Sequence, residues 1–170
     1  HNESNHDLTR FQPSGPFTGI KRSLTDGGIR VPFLVRWKGT VPEGKTSAHV
    51  GSFADWFATA AQLAGAEIQV PAESMSFVPE LLGNPQRKHD FLYWEFHEKS
   101  FTQAALYDGR WKGLRSGAED GPIALFDQQN DPAEKTNVAG SHPEIAAKIS
   151  DYLKTARSDS PDWPVHWKSR

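Results

Sequence analysis

The sequence lacks several features that would each define a class of protein. It contains no cysteine, which excludes disulfides, thiolate metal sites and cysteine nucleophiles within this chain. No apolar run approaches the roughly 18 residues that a membrane-spanning helix requires. Lys and Arg total 19 against 21 Asp and Glu, and this near balance gives no electrostatic reason to expect nucleic acid or an anionic membrane as partner. This charge balance is still compatible with a small anionic substrate bound by one or two local cations.

The apolar content is sufficient for a packed core. Apolar residues make up 36% of the 170 residues, which fits one ordinary domain or a piece of a larger one. Residues 1–18 are polar and rich in Pro, Gly, Asn and Ser, a composition that predicts a loop. Residues 31–37 form a short apolar, β-branched run that starts around Pro32 and ends before Gly39. This run predicts a strand buried on both faces, as in parallel sheets.

A helix is predicted over residues 52–64. Ser52 and Asp55 have capping-box spacing, with Asp in place of the usual Glu, and Gly65 is a suitable C-terminal cap. The apolar residues of this segment recur at helical spacing and are expected to share one face: Phe53, Trp56, Phe57, Ala60, Leu63 and Ala64. A strand followed by a helix is typical of α/β proteins.

The pattern changes to short strands after a boundary placed near residues 83–90. Strands are predicted over 91–96, 104–107, 111–114 and 123–126, and Asp108-Gly109 is a hairpin turn signal. Ser141 and Glu144 have capping-box spacing around Pro143. The helix that follows has its apolar residues at Ile145, Ile149, Tyr152 and Leu153. Residues 85–157 therefore predict a small antiparallel sheet packed under one helix, with 158–170 as a surface tail.

Three blocks of sequence resemble the formylglycine-dependent sulfatases. In residues 19–39 an active-site-type lysine precedes an acidic-Gly-Gly-x-Arg-x-Pro turn, matched by Lys21, Asp26, Gly27, Gly28, Arg30 and Pro32. Asp26 replaces the family's usual Glu. Residues 52–65 resemble the helix with Asp55, Thr59, Leu63 and Gly65, where Ala58 replaces the usual Pro. Residues 125–139 resemble the C-terminal Leu-Tyr-Asp-x-x-x-Asp-Pro-x-Glu-x-x-Asn pattern, with Phe126 in place of Tyr.

The resemblance implies an α/β fold of the alkaline-phosphatase type. Residues 1–84 would be the end of the large α/β domain, and residues 85–170 a C-terminal subdomain of antiparallel sheet, helix and tail. The family nucleophile is a formylglycine made from a Cys/Ser-x-Pro-x-Arg motif, which this chain does not contain. The family cation, usually Ca²⁺, is held by Asp and Asn residues, the last of them in an Asp-Asn-Gly motif expected just before His1. No complete metal site is therefore expected in this chain.

The resemblance assigns a catalytic role to Lys21. Cleavage of a sulfate ester builds negative charge on oxygen, and a fixed ammonium stabilises that charge. The alternative is that Lys21 is an ordinary surface lysine beside Arg22. Gly27-Gly28 either allows the backbone to pass close to a ligand or simply ends a loop. Arg30 is expected to be a structural ion-pair partner, with Asp26 or Asp55, rather than a substrate contact.

Three further residues are candidates for substrate binding. By resemblance, His1 would follow the metal motif and lie at the mouth of the active site, although it could equally be a disordered end. Glu95 and His97 fall on one side of a strand near its end and could contact a sugar, or form an ordinary solvated face. Trp94 and Trp111 are assigned to packing rather than to stacking on a sugar. His6, on a loop, is a weaker candidate.

The expected function is that of part of a sulfatase acting on a sulfated small molecule or carbohydrate. The expected partner is the missing N-terminal part of the enzyme, which would carry Ca²⁺ and formylglycine, so the chain alone is expected to be inactive. Family resemblance implies a periplasmic or secreted location. Two alternatives stay open: a phosphoryl or phosphonate ester hydrolase of the same superfamily, and a non-catalytic folding or interaction unit.

Overall fold

The computed structural model describes residues 7–98, 100–165 and 167. The chain divides into two compact units, one made of His1–Val31 with Tyr93–Arg170 and the other of Pro32–Leu92. No helix in the described part is long and apolar enough to cross a membrane. The helices are α1 (Leu8–Phe11), α2 (Asp26–Ile29), α3 (Asp55–Ala64), α4 (Val78–Leu81) and α5 (Pro143–Leu153), and the strands are β1 (Phe91–Phe96), β2 (Thr102–Tyr107), β3 (Trp111–Ser116) and β4 (Ala124–Asp127). The predicted boundary near residues 83–90 stays a prediction.

The four strands form one sheet in the order β1-β2-β3-β4. β2 and β3 pair antiparallel from Thr102↔Ser116 to Tyr107↔Trp111, and β3 and β4 pair antiparallel from Trp111↔Asp127 to Leu114↔Ala124. At the β2–β3 turn Asp108 and Gly109 both have positive φ, 51° and 63°. All four predicted strands are confirmed, with boundaries shifted by at most a few residues, because each is bounded by its own turn signals.

Helix α5 covers one face of the sheet. Ile149 and Leu153 are buried, and a Cβ at Gly113 would lie 2.6 Å from Cγ2 of Ile149, so the glycine lets the helix approach β3 closely. Gln103 donates a hydrogen bond to the carbonyl of Leu153 at 3.1 Å. The predicted sheet under one helix is confirmed.

The predicted capping box at the start of α5 is wrong. The helix begins at Pro143, its N-cap is His142, and no side chain caps it. Proline fixes φ and lacks an N–H that would need a partner in the first turn. The start of α5 therefore relies on Pro143 and not on the Ser141–Glu144 pair.

The second unit is built around the polar side of α3. Asp55, Ala58 and Thr59 are buried. Thr59 Oγ1 donates to the Asp55 carbonyl at 2.7 Å and accepts the Phe77 N–H at 3.1 Å. The Asp55 carboxylate accepts the Ser52 and Met75 N–H groups and His89 Nε2, each at 2.8 Å. These bonds attach the helix to residues 74–77 and to His89.

The predicted helix is confirmed, and much of its apolar face is exposed within this unit. Phe53 is 83% exposed, Trp56 54% and Phe57 49%. Gly65 caps the helix with φ +62° as predicted. The capping box is formed on one side only, through the Asp55 carboxylate and the Ser52 N–H. The apolar periodicity correctly marks a continuous face, while the short polar side chains opposite it make the contacts of this unit.

The predicted strand over residues 31–37 is wrong. The segment pairs with no strand in the described part of the chain, and Leu34 is 91% exposed. A strand needs a neighbour to accept and donate its backbone hydrogen bonds. The sequence propensity is present, but no described segment supplies that neighbour.

Candidate functional site

Lys21 lies in a tight turn over residues 18–28, here called the Lys21 turn. The Gly27 N–H donates to the Thr18 carbonyl at 2.8 Å, and Thr25 Oγ1 donates to the same carbonyl at 2.6 Å. Arg22, beside Lys21, has φ +77°, a strained conformation for a residue other than glycine. Lys21 itself is exposed at this turn. The turn thus presents a lysine from a closed, hydrogen-bonded backbone.

Close contacts with the chain's own backbone explain why positions 27 and 28 are glycines. A Cβ at Gly27 would collide with the carbonyls of Thr18 and Gly19, and one at Gly28 with the carbonyl of Ser23. Both glycines lie in α2, which begins five residues after the lysine. They are needed for close packing of the turn on itself, so neither predicted reading, ligand approach or mere loop ending, describes them fully.

Arg30 forms the predicted structural ion pair. Its Nη1 lies 3.4 Å from Oδ2 of Asp26, and its guanidinium carbon lies 4.6 Å from the centroid of the Phe17 ring. Asp26, and not Asp55, is its partner. The pairing with Asp26 confirms the structural interpretation of Arg30.

An ion pair joins the Lys21 turn to the end of β1. Arg22 contacts the carboxylate of Glu98, and Glu98 directly follows His97. The pair therefore brings the turn that carries Lys21 beside the strand end that carries Glu95 and His97. The sequence neighbours of Lys21 and His97 are thus in contact within the first unit.

Glu95 and His97 form a hydrogen-bonded pair at this strand end. His97 Nε2 lies 2.9 Å from Glu95 Oε1, while Tyr93 Oη and Arg157 Nε donate to Glu95 Oε2 at 2.6 and 3.0 Å. The His97 ring is 4.9 Å from the Phe101 ring, edge to face. Since three donors already engage its carboxylate, Glu95 is suited to orienting His97 and Arg157.

The same contacts govern the acidity of Glu95 and Tyr93. Burial by itself would raise the pKa of Glu95, but hydrogen bonds from Tyr93, His97 and Arg157 outweigh it and lower that pKa. Burial, and secondly the hydrogen bond to Glu95, raise the pKa of Tyr93. Glu95 is therefore a fixed carboxylate anion at neutral pH, and Tyr93 a neutral donor to it.

The remaining predicted residues are not part of this grouping. His1 and His6 lie outside the described residues. Trp111 is half-buried, and its ring centroid lies 4.4 Å from the Arg110 guanidinium carbon and 4.6 Å from the His142 ring centroid, which supports packing rather than sugar stacking. Trp94 is half-buried. Across residues 7–98, 100–165 and 167, no three His, Asp or Glu side chains come together as metal ligands would.

The sequence prediction missed a buried lysine that contacts the Lys21 turn. Lys112 Nζ lies 2.7 Å from Asp26 Oδ1 and 2.7 Å from Glu134 Oε1, and its side chain is 1% exposed. Strand alternation places Lys112 on the face opposite Gly113, and a lysine there is expected to be solvated, since fully buried lysines are rare unless paired. Its partners are far away in the sequence, so only the fold identifies them.

Three further positions of the 125–139 block have structural roles. Asp127 takes a forked pair of hydrogen bonds from Arg110, at 2.9 and 2.7 Å. Asn137 Oδ1 accepts the N–H groups of Leu125 and Ala139, both at 3.0 Å. Asp131 Oδ2 accepts the N–H groups of Lys135 and Thr136 at 2.7 Å. The block folds the chain after β4 and places Glu134 against Lys112.

Comparison with known proteins points to sulfatases. Residues 18–159 match the family described as "N-sulphoglucosamine sulphohydrolase, C-terminal". The chain is 30% identical over 167 residues to an N-acetylgalactosamine-6-O-sulfatase of Bacteroides thetaiotaomicron, covering 89% of this chain and 32% of that protein. These matches include all three sequence blocks that resembled the family.

Solved structures agree on the fold. The crystal structure of Ps i-CgsB superposes with a TM-score of 0.75 at 28% identity, covering 90% of this chain and 34% of that one. A phosphonate monoester hydrolase from Silicibacter pomeroyi superposes with a TM-score of 0.54 at 22% identity, covering 69% and 27%, a likeness of fold alone. The chain spans about a third of the length of the relatives it matches. The alkaline-phosphatase-type α/β class predicted from the sequence is confirmed.

Proposed function

Because the chain belongs to the C-terminal N-sulphoglucosamine sulphohydrolase family of sulfatases, we propose that it forms the C-terminal part of an enzyme that hydrolyses sulfate esters. The observation that carries the proposal is the Lys21 turn. Its backbone is closed by hydrogen bonds, and its Arg22 contacts Glu98, the residue after His97. The name of the N-acetylgalactosamine-6-O-sulfatase relative favours a sulfated carbohydrate as substrate.

Lys21 is the catalytic residue of this proposal. Its ammonium is a compact charge with three donors, suited to the non-bridging oxygens of a sulfate group or to the leaving oxygen. Such a donor accelerates the reaction to the extent that it contacts charge that grows in the transition state. Because hydrogen bonds close the backbone on both sides of the lysine, the chain needs less reorganisation when the transition state forms.

His97 is proposed as the substrate contact, with Glu95 holding its ring in place. Glu95 has three donors of its own chain, so its carboxylate is better suited to orienting His97 than to binding a sugar hydroxyl directly. Trp163, with its ring centroid 6.0 Å from that of His97, adds an exposed apolar surface on which a sugar ring could pack. His1 is retained as a second substrate contact by family resemblance.

Ca²⁺ and formylglycine are proposed to come from the rest of the enzyme. The described residues do not fit either group, because they contain no cluster of three metal-ligating side chains, and the sequence contains neither cysteine nor the Ser-x-Pro-x-Arg form of the precursor motif. The metal would polarise the sulfate and the formylglycine would supply the nucleophile. The residues of this chain supply a fixed cation and a substrate contact.

The rest of the sulfatase is also the proposed partner of the exposed side of α3. Phe53, Trp56 and Phe57 form a contiguous apolar surface, larger than isolated surface residues would make. The segment at 31–37 adds Phe33 and Leu34, both exposed. We also propose that the enzyme is periplasmic or secreted, as its family resemblance implies.

An aryl sulfate assay of the complete enzyme tests the catalytic role of Lys21. Lys21→Ala should lower the rate about 100-fold or more, the scale for loss of one transition-state donor. Lys135→Ala removes an exposed lysine of the same unit and should leave the rate near that of the unaltered enzyme. A Lys21→Ala enzyme with the unaltered rate would reject the role.

Two alternatives are separated by further assays. Parallel rates with an aryl sulfate and an aryl phosphonate distinguish a sulfatase from a phosphonate hydrolase, the class of the Silicibacter pomeroyi protein of similar fold. Aryl sulfate turnover by the 170-residue chain alone would contradict the expectation that it is non-catalytic without the nucleophile and the metal ligands.

A further inference from the structure

Lys112, Asp26, Glu134 and Gln128 form a buried cluster, here called the ion cluster. Lys112 Nζ lies 2.7 Å from both carboxylates. Gln128 Nε2 donates to Asp26 Oδ1 at 3.2 Å and to Glu134 Oε1 at 2.8 Å. The backbone N–H of Asp26 donates to Glu134 Oε2 at 2.6 Å. Every member thus contacts at least two others, across segments that are far apart in the sequence.

The ion cluster is both buried and balanced in charge. The side chains of Lys112 and Glu134 are 1% and 0% exposed. Arg30, on the rim, contributes a second positive charge to Asp26, so two cations face two carboxylates. Removing charges from water is costly, and apolar side chains of similar size often stabilise a core equally well. The presence of the ion cluster is better explained by the single geometry that the cluster specifies.

The geometry that the ion cluster specifies is that of the Lys21 turn. Asp26 is the only member of the cluster that belongs to that turn. The next residue, Gly27, donates to the Thr18 carbonyl at 2.8 Å, and the space around both glycines is filled by backbone. In a turn this tightly closed, a displacement of Asp26 is expected to displace Lys21 with it.

We propose that Lys112 and Glu134 are positioning residues, which hold Asp26 and thereby fix where the Lys21 ammonium lies. This inference rests on the proposed function for the role of Lys21, but the fixing of the turn is a separate physical claim. Lys112 lies on β3, and on the opposite face of the same strand Arg115 donates to the Ser150 carbonyl of α5. The sheet is thus held to the turn on one side and to the helix on the other.

Hydrogen exchange of the 170-residue chain tests the fixing of the turn. Lys112→Met alone leaves two carboxylates buried together and can prevent folding. The double variant Lys112→Met/Glu134→Gln removes one charge of each sign and keeps an acceptor for the Asp26 N–H. We expect the protection of the Gly27 and Gly28 amides, relative to amides of β2 and β3, to fall about tenfold or more, since hydrogen bonds to charged groups are lost.

Arg115→Met is the matched control, because it removes a buried cation from the same strand on the side of α5. It should destabilise the sheet without lowering the relative protection of Gly27 and Gly28. The positioning role is overturned if the double variant leaves that relative protection unchanged, or if Arg115→Met lowers it as much.

A double-mutant cycle in the complete enzyme tests the consequence for catalysis. The Lys112→Met/Glu134→Gln substitution should lower kcat/KM about tenfold to 100-fold, since a small misplacement of a catalytic group is enough for such a loss. In a Lys21→Ala background it should lower kcat/KM little further, because it acts through Lys21. Equal losses in both backgrounds would overturn the inference. An unaltered enzyme without aryl sulfatase activity would instead contradict the proposed function, while the exchange result would still decide whether the turn is fixed.

Discussion

The Asp127 carboxylate shows how strongly one side chain of the first unit is fixed by its donors. Besides the fork from Arg110, it accepts Asn130 Nδ2 at 2.7 Å and the Gln129 N–H at 3.1 Å. The hydrogen bonds from Arg110 are the main cause that lowers the pKa of Asp127, against a smaller opposing effect of burial. These donors join the β2–β3 turn to the end of β4.

Asp127→Asn should lower the stability of the chain in a pH-dependent manner. Because the folded-state pKa lies below the unfolded value of about 3.9, the charged carboxylate stabilises the fold fully above that pH and progressively less below it. The difference in Tm between the original chain and the variant should therefore be constant from about pH 5 to 7 and shrink below about pH 4. Thermal unfolding followed by circular dichroism measures it. A difference that persists undiminished in acid would contradict the assigned role.

Single residues also show where sequence reasoning ends. The role assigned to Lys21 rests on a local motif and stays a prediction, whereas the ion pair of Arg30 was identified because its partner Asp26 is four residues away. Lys112 was missed, since Asp26 and Glu134 become its neighbours only through the fold. Glu95 and His97 were placed together by strand alternation, but the third and fourth members of their group, Tyr93 and Arg157, were not foreseen, and Arg157 is distant in the sequence.

Among the elements, helix α3 shows that a polar face can carry the packing of a unit. Thr59 is fully buried and uses its hydroxyl twice, as a donor to Asp55 and as an acceptor from Phe77. Ser74 acts in the same way, accepting the Ala58 N–H and donating to the Ala54 carbonyl. Asp55 and Thr59, which match the sulfatase helix motif, thus attach α3 to residues 74–77.

Thr59→Val should destabilise the second unit by about 1–3 kcal/mol, because it preserves shape while leaving the Phe77 N–H buried without its acceptor. Thr59→Ser retains the hydroxyl and is the matched control, with a smaller loss that reflects only the missing methyl group. Urea denaturation of the chain, followed by tryptophan fluorescence, compares the two. A valine variant as stable as the serine variant would mean that the hydroxyl contributes nothing.

Elements were predicted accurately where their determinants are local. β1 to β4 are each delimited by nearby turn residues, and α5 by Pro143 and its own apolar spacing. The strand expected at 31–37 depends on neighbours that the described residues do not provide. The same holds for the apolar face of α3, because a helical period shows that a face exists but not what covers it.

At the scale of the whole molecule, one side of α3 is exposed in this chain and is proposed to be covered in the complete enzyme. Phe53 and Phe57 are 83% and 49% exposed, and the chain spans about a third of its relatives' length. If the rest of the sulfatase covers this side, the same side chains contribute to stability only in the larger protein. Burying one phenylalanine side chain contributes about 1.5–3 kcal/mol.

Phe53→Gln/Phe57→Gln should therefore have opposite consequences in the two proteins. In the 170-residue chain it should leave the unfolding midpoint nearly unchanged and reduce self-association, measured by analytical ultracentrifugation, because exposed apolar surface is removed. In the complete enzyme it should lower the free energy of unfolding by about 3 kcal/mol or more, since two buried rings are lost. Gln62→Glu, on the opposite side of α3 and also exposed, should be neutral in both. If the double variant is neutral in the complete enzyme too, this side of α3 does not contact the rest of the sulfatase, and its apolar surface requires another partner.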